Sequence, residues 1–142
     1  MTENQTIEFI SLEDILNEDL SAVSTEIPVQ LINGKYTKLK IKSITQEQEA
    51  KIRKRCTRYE GGKRGMKTPV INDELYNPLI IAAATEVDWG MFAEKVGATV
   101  PAPEFIIPKV LSIGGIVHAV QEIQRISGLD EDMDELVKAA KN

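Results

Sequence analysis

Asn33-Gly34, set between two β-prone runs, constrains the fold of this chain more than any other feature. The pair marks a β-hairpin, because both residues accept the positive φ that tight strand reversals need. The flanking apolar residues then choose the loop length. A two-residue loop would set Val29 opposite Lys38 and turn Leu39 to the other face. A three-residue loop of Ile32, Asn33 and Gly34, with Gly34 left-handed in a bulge, pairs Val29 with Thr37 and Ile27 with Leu39. Ile27, Val29, Leu31, Leu39 and Ile41 then share one face, so the three-residue loop is expected. Lys35, Lys38, Lys40 and Lys42 fall to solvent or guard the sheet edge.

Helical signals dominate the remainder. Thr45 and Gln48 fit a capping box that opens a helix running to about Tyr59, with Ile52, Cys56 and Tyr59 as its apolar stripe. Residues 72–87 are apolar almost all round from Leu79 to Val87, as in a core helix. Pro78 either starts that helix after Asn77 or kinks one beginning near Asp73. A short helix around Met91–Val96 ends at Gly97, and Trp89 reads as a packing anchor. Pro103 suits the first turn of another helix, whose regularity Pro108 limits. Ile113, Ile116, Val117, Val120, Ile123 and Ile126 give a long helix a broad apolar face. Gly128 stops it, and Asp130 can cap a terminal helix that is acidic at its start and carries Lys138 and Lys141 at its end. The fold class that follows is α+β, mostly helical: one N-terminal β-hairpin near residues 27–42 packed against about five α-helices. Residues 1–26 form an acidic segment and residues 27–142 a single domain.

Composition narrows the function. The chain has 142 residues, enough for one core and too few for two comfortable domains. A net charge of −5 opposes a general nucleic-acid binder. The start Met1-Thr2-Glu3-Asn4 lacks the basic and apolar regions of a secretory signal, no apolar run is long enough to span a bilayer, and a cytosolic protein is expected. Cys56 is the one cysteine and His118 the one histidine, so zinc ligation is not expected. His118 reads as a surface residue beside Glu122 and Arg125. Gly61-Gly62-Lys63-Arg64-Gly65 has neither a preceding strand nor a Gly-Lys-Ser/Thr ending, so it reads as a mobile loop and not a phosphate-binding loop. Ser112, Ser127 and Cys56 lack a nucleophile's setting, and Asp130-Glu131-Asp132 lacks the glycine and glutamate of a calcium loop. The expected protein is not an enzyme and carries no cofactor or metal.

Charge is divided along the chain. Residues 1–26 hold Glu3, Glu8, Glu13, Asp14, Glu18, Asp19 and Glu26 with no Lys or Arg, interleaved with Ile7, Phe9, Ile10, Leu12, Ile15, Leu16 and Leu20. Ser11 can cap a short helix there, either laid against the body or folding on a partner. Residues 51–67 are basic apart from Glu60. Arg53, Arg55, Arg58, Lys63 and Arg64 are the candidate partner-binding residues, against the alternative of a merely solvated face. The opposed charges serve either contacts within one molecule or head-to-tail association of copies. A small nucleic-acid-binding or regulatory protein using residues 51–67 is the second functional reading, opposed by the lack of interleaved aromatics.

The ordered series Leu31-Ile32-Asn33-Gly34-Lys35-Tyr36, Ile52-Arg53-Lys54-Arg55, Leu79-Ile80-Ile81-Ala82-Ala83-Ala84, Val100-Pro101-Ala102-Pro103-Glu104, Leu111-Ser112-Ile113-Gly114 and the Ser127-Gly128 to Lys141-Asn142 ending carries a resemblance. Over residues 28 to 142 the chain resembles the XkdN-like tail assembly chaperones of long-tailed phages and tail-like prophages. It departs at Gly115, where the family tends to carry Glu, at Leu129, where it tends to carry Phe, and at Pro78. The resemblance implies a non-enzymatic chaperone that binds the tape measure protein, recruits tail tube subunits, acts in the host bacterial cytoplasm and is absent from the finished tail. It points to the apolar face of the long helix, the amino-terminal segment and the basic loop as contacts. It also implies a longer translational-frameshift product. Ala140-Lys141-Asn142 permits a slippery A-AAA-AAY heptamer.

Overall fold

A computed structural model describes residues 8–129 and 138–140 of the chain. The chain divides into two compact units, one of residues 22–129 and one of residues 1–21 with 130–142. In the second, Glu13–Asn17 form a single 3₁₀ turn, and the Ser11 hydroxyl accepts the Asp14 N–H at 3.3 Å. Residues 138–140 are helical; the start of the terminal helix at Asp130 lies outside the described residues.

The larger unit begins with the expected hairpin. β1 (Ser24–Gln30) pairs antiparallel with β2 (Tyr36–Lys42), with Ile27 opposite Leu39 and Val29 opposite Thr37. Leu31 N–H donates to the Lys35 carbonyl at 2.7 Å, which leaves Ile32-Asn33-Gly34 as the three-residue loop, and Gly34 sits at φ 89°. Burial fixed this register. Ile27, Val29, Leu39 and Ile41 are buried and Leu31 half-buried, and a one-residue slip would turn the whole set to water at roughly 1.5–3 kcal/mol per side chain.

Five α-helices follow: α1 (Gln46–Cys56), α2 (Asp73–Ala83), α3 (Ala93–Val96), α4 (Pro103–Val110) and α5 (Ile113–Ile126). The Thr45–Gln48 capping box is present in both directions. α2 packs against α1, α4 and α5, while α5 lies along β1 and β2. Pro78 stands inside α2, so the helix begins at Asp73. The N–H that proline lacks would have served the Glu74 carbonyl, and Glu74 is exposed to water. Trp89 is buried as an anchor: its indole N–H donates to the Thr85 hydroxyl at 3.0 Å, which itself donates to the Ile81 carbonyl at 2.8 Å.

Two sequence expectations need correction. The helix expected to reach Tyr59 ends at Cys56, and the loop expected at residues 61–65 is the tip of a second hairpin. β3 (Thr57–Gly61) pairs with β4 (Lys67–Ile71), and Lys63–Gly65 make the turn. Thr57, β-branched, takes extended backbone and bonds its hydroxyl to the Arg53 carbonyl at 2.6 Å. Asn72 N–H closes the base on the Cys56 carbonyl at 3.0 Å. Tyr59 is therefore exposed and forms no part of a helix stripe.

α5 is corrected in detail too. Its buried side is Gly115, Ala119, Val120 and Ile123, whereas Ile113 and Val117 are exposed. Ser112 caps the helix by accepting the Gly115 N–H at 3.0 Å, and its hydroxyl donates to the Gln30 side-chain oxygen at 2.9 Å. Ser112 N–H reaches the Gln30 carbonyl at 3.0 Å. α5 thus starts hard against the end of β1. A Cβ at position 115 would collide with the Gln30 carbonyl oxygen, so Gly115 is the residue that permits this approach.

Candidate partner-binding surfaces

The apolar side chains that α5 leaves out of the core meet others from α2 and α4. Leu75 and Pro78 of α2, Phe105 and Pro108 of α4, and Ile116 and Val117 of α5 line a groove of about 540 Å³, with Ile113 at its end. Phe105 is 53% exposed and Ile113 85%, so an apolar surface faces water where three helices converge. Asp73 and Glu74 stand among its lining residues as exposed carboxylates, while the Glu104 carboxylate there is paired with Arg55. No helix is long and apolar enough to cross a membrane among the described residues. A concave, helix-walled apolar surface with charge at its edge is suited to an amphipathic helix.

The sequence reading pointed to the apolar face of the long helix as a contact but took its apolar residues as one stripe, and so did not separate the groove residues Ile113 and Val117 from the core. The usable signal was Gly115 with Ala119. Small residues four apart mark the side that backbone approaches closely, which turns Ile113 and Val117 outward.

The basic candidates divide between α1 and the second hairpin. Arg53 donates through Nε to Glu49 Oε1 at 2.8 Å, and its guanidinium lies 5.8 Å from the Tyr76 ring centre. The Tyr76 hydroxyl donates to the same carboxylate oxygen at 3.0 Å. The Arg53 hydrogen bond, helped by Tyr76, holds the Glu49 carboxyl below its ordinary range, while burial followed by the Glu49 contact pushes the Tyr76 hydroxyl up. Arg55 bonds Glu104 of α4 at 2.9 Å, and Arg58 pairs with Glu60 within β3 at 3.2 Å. Arg64 is exposed at the hairpin tip with φ 65°, and Lys63 shares that turn. The fold therefore brings Arg58, Lys63 and Arg64 onto the second hairpin and keeps Arg53 and Arg55 on α1. In the amino-terminal segment, Phe9, Leu12, Leu16 and Leu20 are exposed.

His118 is exposed on α5, where the neighbouring Glu122 and Arg125 pair at 2.8 Å. Cys56 is buried, and burial raises its thiol pKa, the wrong direction for a nucleophile. Among the described residues no group of three His, Cys, Asp or Glu side chains could hold a metal ion.

Structurally, then, this is a small α+β protein whose distinctive surface is an apolar groove between helices. A family model for phage XkdN-like tail assembly chaperone proteins matches residues 12–141, and the chain belongs to that family. No curated protein and no solved structure matches it.

Proposed function

We propose that the chain is a non-enzymatic holdase for the tape measure protein, and that the groove of α2, α4 and α5 is where it grips. The single observation that carries this reading is the exposed apolar lining of Phe105, Ile113 and Val117 at the meeting of three helices. A tape measure protein is a long helical chain with apolar surface exposed until the tail tube encloses it. Asp73 and Glu74 favour a helix whose apolar face is flanked by Lys or Arg. One shallow groove gives a reversible contact, and many copies along one tape measure give avidity. Release needs only competition from tube subunits, so no nucleotide is required. The protein acts in the host cytoplasm and leaves before the tail is finished. Minus-one slippage at the codons of Ala140-Lys141-Asn142 would add a longer form able to recruit tube protein.

Ile113→Asp tests the grip cleanly. Position 113 is exposed at the first turn of α5, where a carboxylate suits the helix dipole, so the fold should survive. The expected result is an affinity for a purified tape measure fragment at least about tenfold lower, with loss of protection against aggregation. Unchanged protection would overturn the groove assignment. Random DNA serves as the comparison: salt-sensitive binding to DNA with none to the fragment would favour the nucleic-acid reading instead.

A further inference from the structure

Besides Lys54, Arg64 and Lys67 of the basic segment, which make no ion pair among the described residues, the fold offers the acidic segment a second positive surface. Arg53, Arg55 and Arg58 each hold a carboxylate of their own molecule. Lys42 pairs with Glu86 at 3.8 Å, but Lys35, Lys38 and Lys40 have no carboxylate partner among the described residues. These unpaired lysines all belong to β2 and the turn before it.

β2 is also an open sheet edge. The Leu31–Lys35 bond sets the ladder on odd-numbered residues of both strands, so the N–H and C=O of even-numbered residues point outward. On β1 that outer edge is occupied in part: Pro28 has no N–H and the Gln30 carbonyl accepts the Ser112 N–H, while Glu26 has no backbone partner there among the described residues. On β2 only Lys42 is engaged, its N–H donating to the Ala84 carbonyl at 2.8 Å. The N–H and C=O of Lys38 and Lys40 have no backbone partner among the described residues. A concave surface of about 590 Å³ lies beside these lysines, lined also by Ala22, Glu26, Ala84, Glu86 and Val87; Glu26 stands opposite Lys40 in the ladder without an ion pair.

We infer that the free edge of β2 is a docking site for the acidic amino-terminal stretch of a second copy of this chain. Strand addition draws affinity from main-chain hydrogen bonds and selectivity from side chains on alternate residues. Lysines on an edge block pairing of two identical β2 edges. They admit an acidic segment, and residues 8–21 supply Glu8, Glu18 and Asp19 outside the 3₁₀ turn and Glu13 and Asp14 within it, with no basic residue. Glu8–Ser11 lie outside any helix, and Phe9 exposes an apolar side chain to cover. Ser43 N–H donates to the Val23 carbonyl at 2.7 Å and Val23 N–H to the Ser43 hydroxyl at 3.0 Å. Those bonds extend the β1–β2 ladder by one residue pair. The site gives the copies a head-to-tail contact apart from the groove.

Sedimentation of the full chain at low and high salt, over a range of concentrations, tests this. The wild type should self-associate at low salt and dissociate as salt rises. Lys38→Glu with Lys40→Glu, and separately Glu13→Lys with Asp14→Lys and Glu18→Lys, should each weaken association at least about tenfold. An equimolar mixture of the two variants should associate again, because the reversed charges match. Hydrogen exchange on the wild type is independent of any variant's folding: the Lys38 and Lys40 amides should exchange more slowly at high than at low protein concentration. A monomeric wild type at low salt, an unaffected variant, a mixture that fails to associate, or concentration-independent exchange at both amides would overturn the site. Ile113→Asp should self-associate like wild type, which separates failure here from failure of the groove.

Discussion

β1–β2 and β3–β4 both close through a three-residue loop that ends in a left-handed glycine, Gly34 at φ 89° and Gly65 at φ 76°. Both also carry a proline, Pro28 or Pro69, where the missing N–H points away from the partner strand, so neither loses a ladder bond. Their surroundings differ. The first lays Ile27, Val29, Leu39 and Ile41 into the core and is held at its end by Ser112. The second has no buried residue among those described; Tyr59 and Met66 face water, and only Val70, Ile71 and Thr57 near its base are half-buried. Turn chemistry sets the geometry of a hairpin, and tertiary burial sets its stability, since an isolated two-stranded hairpin is marginal in water. The first hairpin is thus part of the cooperative core, and the second is an arm that presents Arg58 and Arg64.

The largest test of this contrast is a pair of truncations. Ile41→Ala empties a fully buried site and should cost about 2–5 kcal/mol of unfolding free energy. Tyr59→Ala on the exposed arm should stay within about 0.5 kcal/mol. Chemical denaturation of both variants measures the difference. A loss from Tyr59→Ala approaching that of Ile41→Ala would mean that the arm is built into the core.

These same physical differences decided what could be read in advance. The register and loop of the first hairpin were legible because alternate burial and Asn33-Gly34 agreed, although β1 starts at Ser24, within the segment expected to precede it. The start of α1 was legible because a capping box is a local device, and so was the anchor role of Trp89. The second hairpin was hidden: Thr57-Arg58-Tyr59-Glu60-Gly61 has no apolar alternation, and Ile52, Cys56 and Tyr59 continue a helical period across the true end of α1. The groove was hidden for another reason. Which apolar residues of α5 face the core depends on where β1, α2 and α4 lie, and no local pattern carries that. Gly115 held the clue. As a departure from the resemblance it looked like a loss, yet it is what allows α5 to meet Gln30.

A second test targets that meeting. Alanine is a better helix former than glycine by about 1 kcal/mol, so in open space the exchange helps. Gly114→Ala meets nothing within 4 Å and should be neutral or stabilising. Gly115→Ala drives its methyl into the Gln30 backbone, which cannot swing aside as a side chain would, and should cost about 1–3 kcal/mol. Opposite signs for adjacent glycines would sharpen the claim that the first hairpin is held by α5. A stabilising Gly115→Ala would break it.

The smallest effect concerns the two loop glycines themselves. Gly34→Ala and Gly65→Ala impose the same left-handed penalty, about 1–2 kcal/mol, partly offset by a stiffer unfolded chain. Both Cβ atoms would enter open space, so no clash adds to either. The difference must come from what each hairpin is coupled to. Strain at Gly34 falls on strands that cannot separate without exposing the core, and the whole unit should melt about 2–4 °C lower. Strain at Gly65 falls beside Arg64, already at φ 65°, on strands that can part locally. There the melting temperature should hold while the amides of residues 57–71 exchange about fivefold or more faster. Thermal melting and hydrogen exchange on the same pair of variants read both quantities. If Gly65→Ala lowers the melting temperature as far as Gly34→Ala does, the arm unfolds with the core and cannot move independently when it meets a partner.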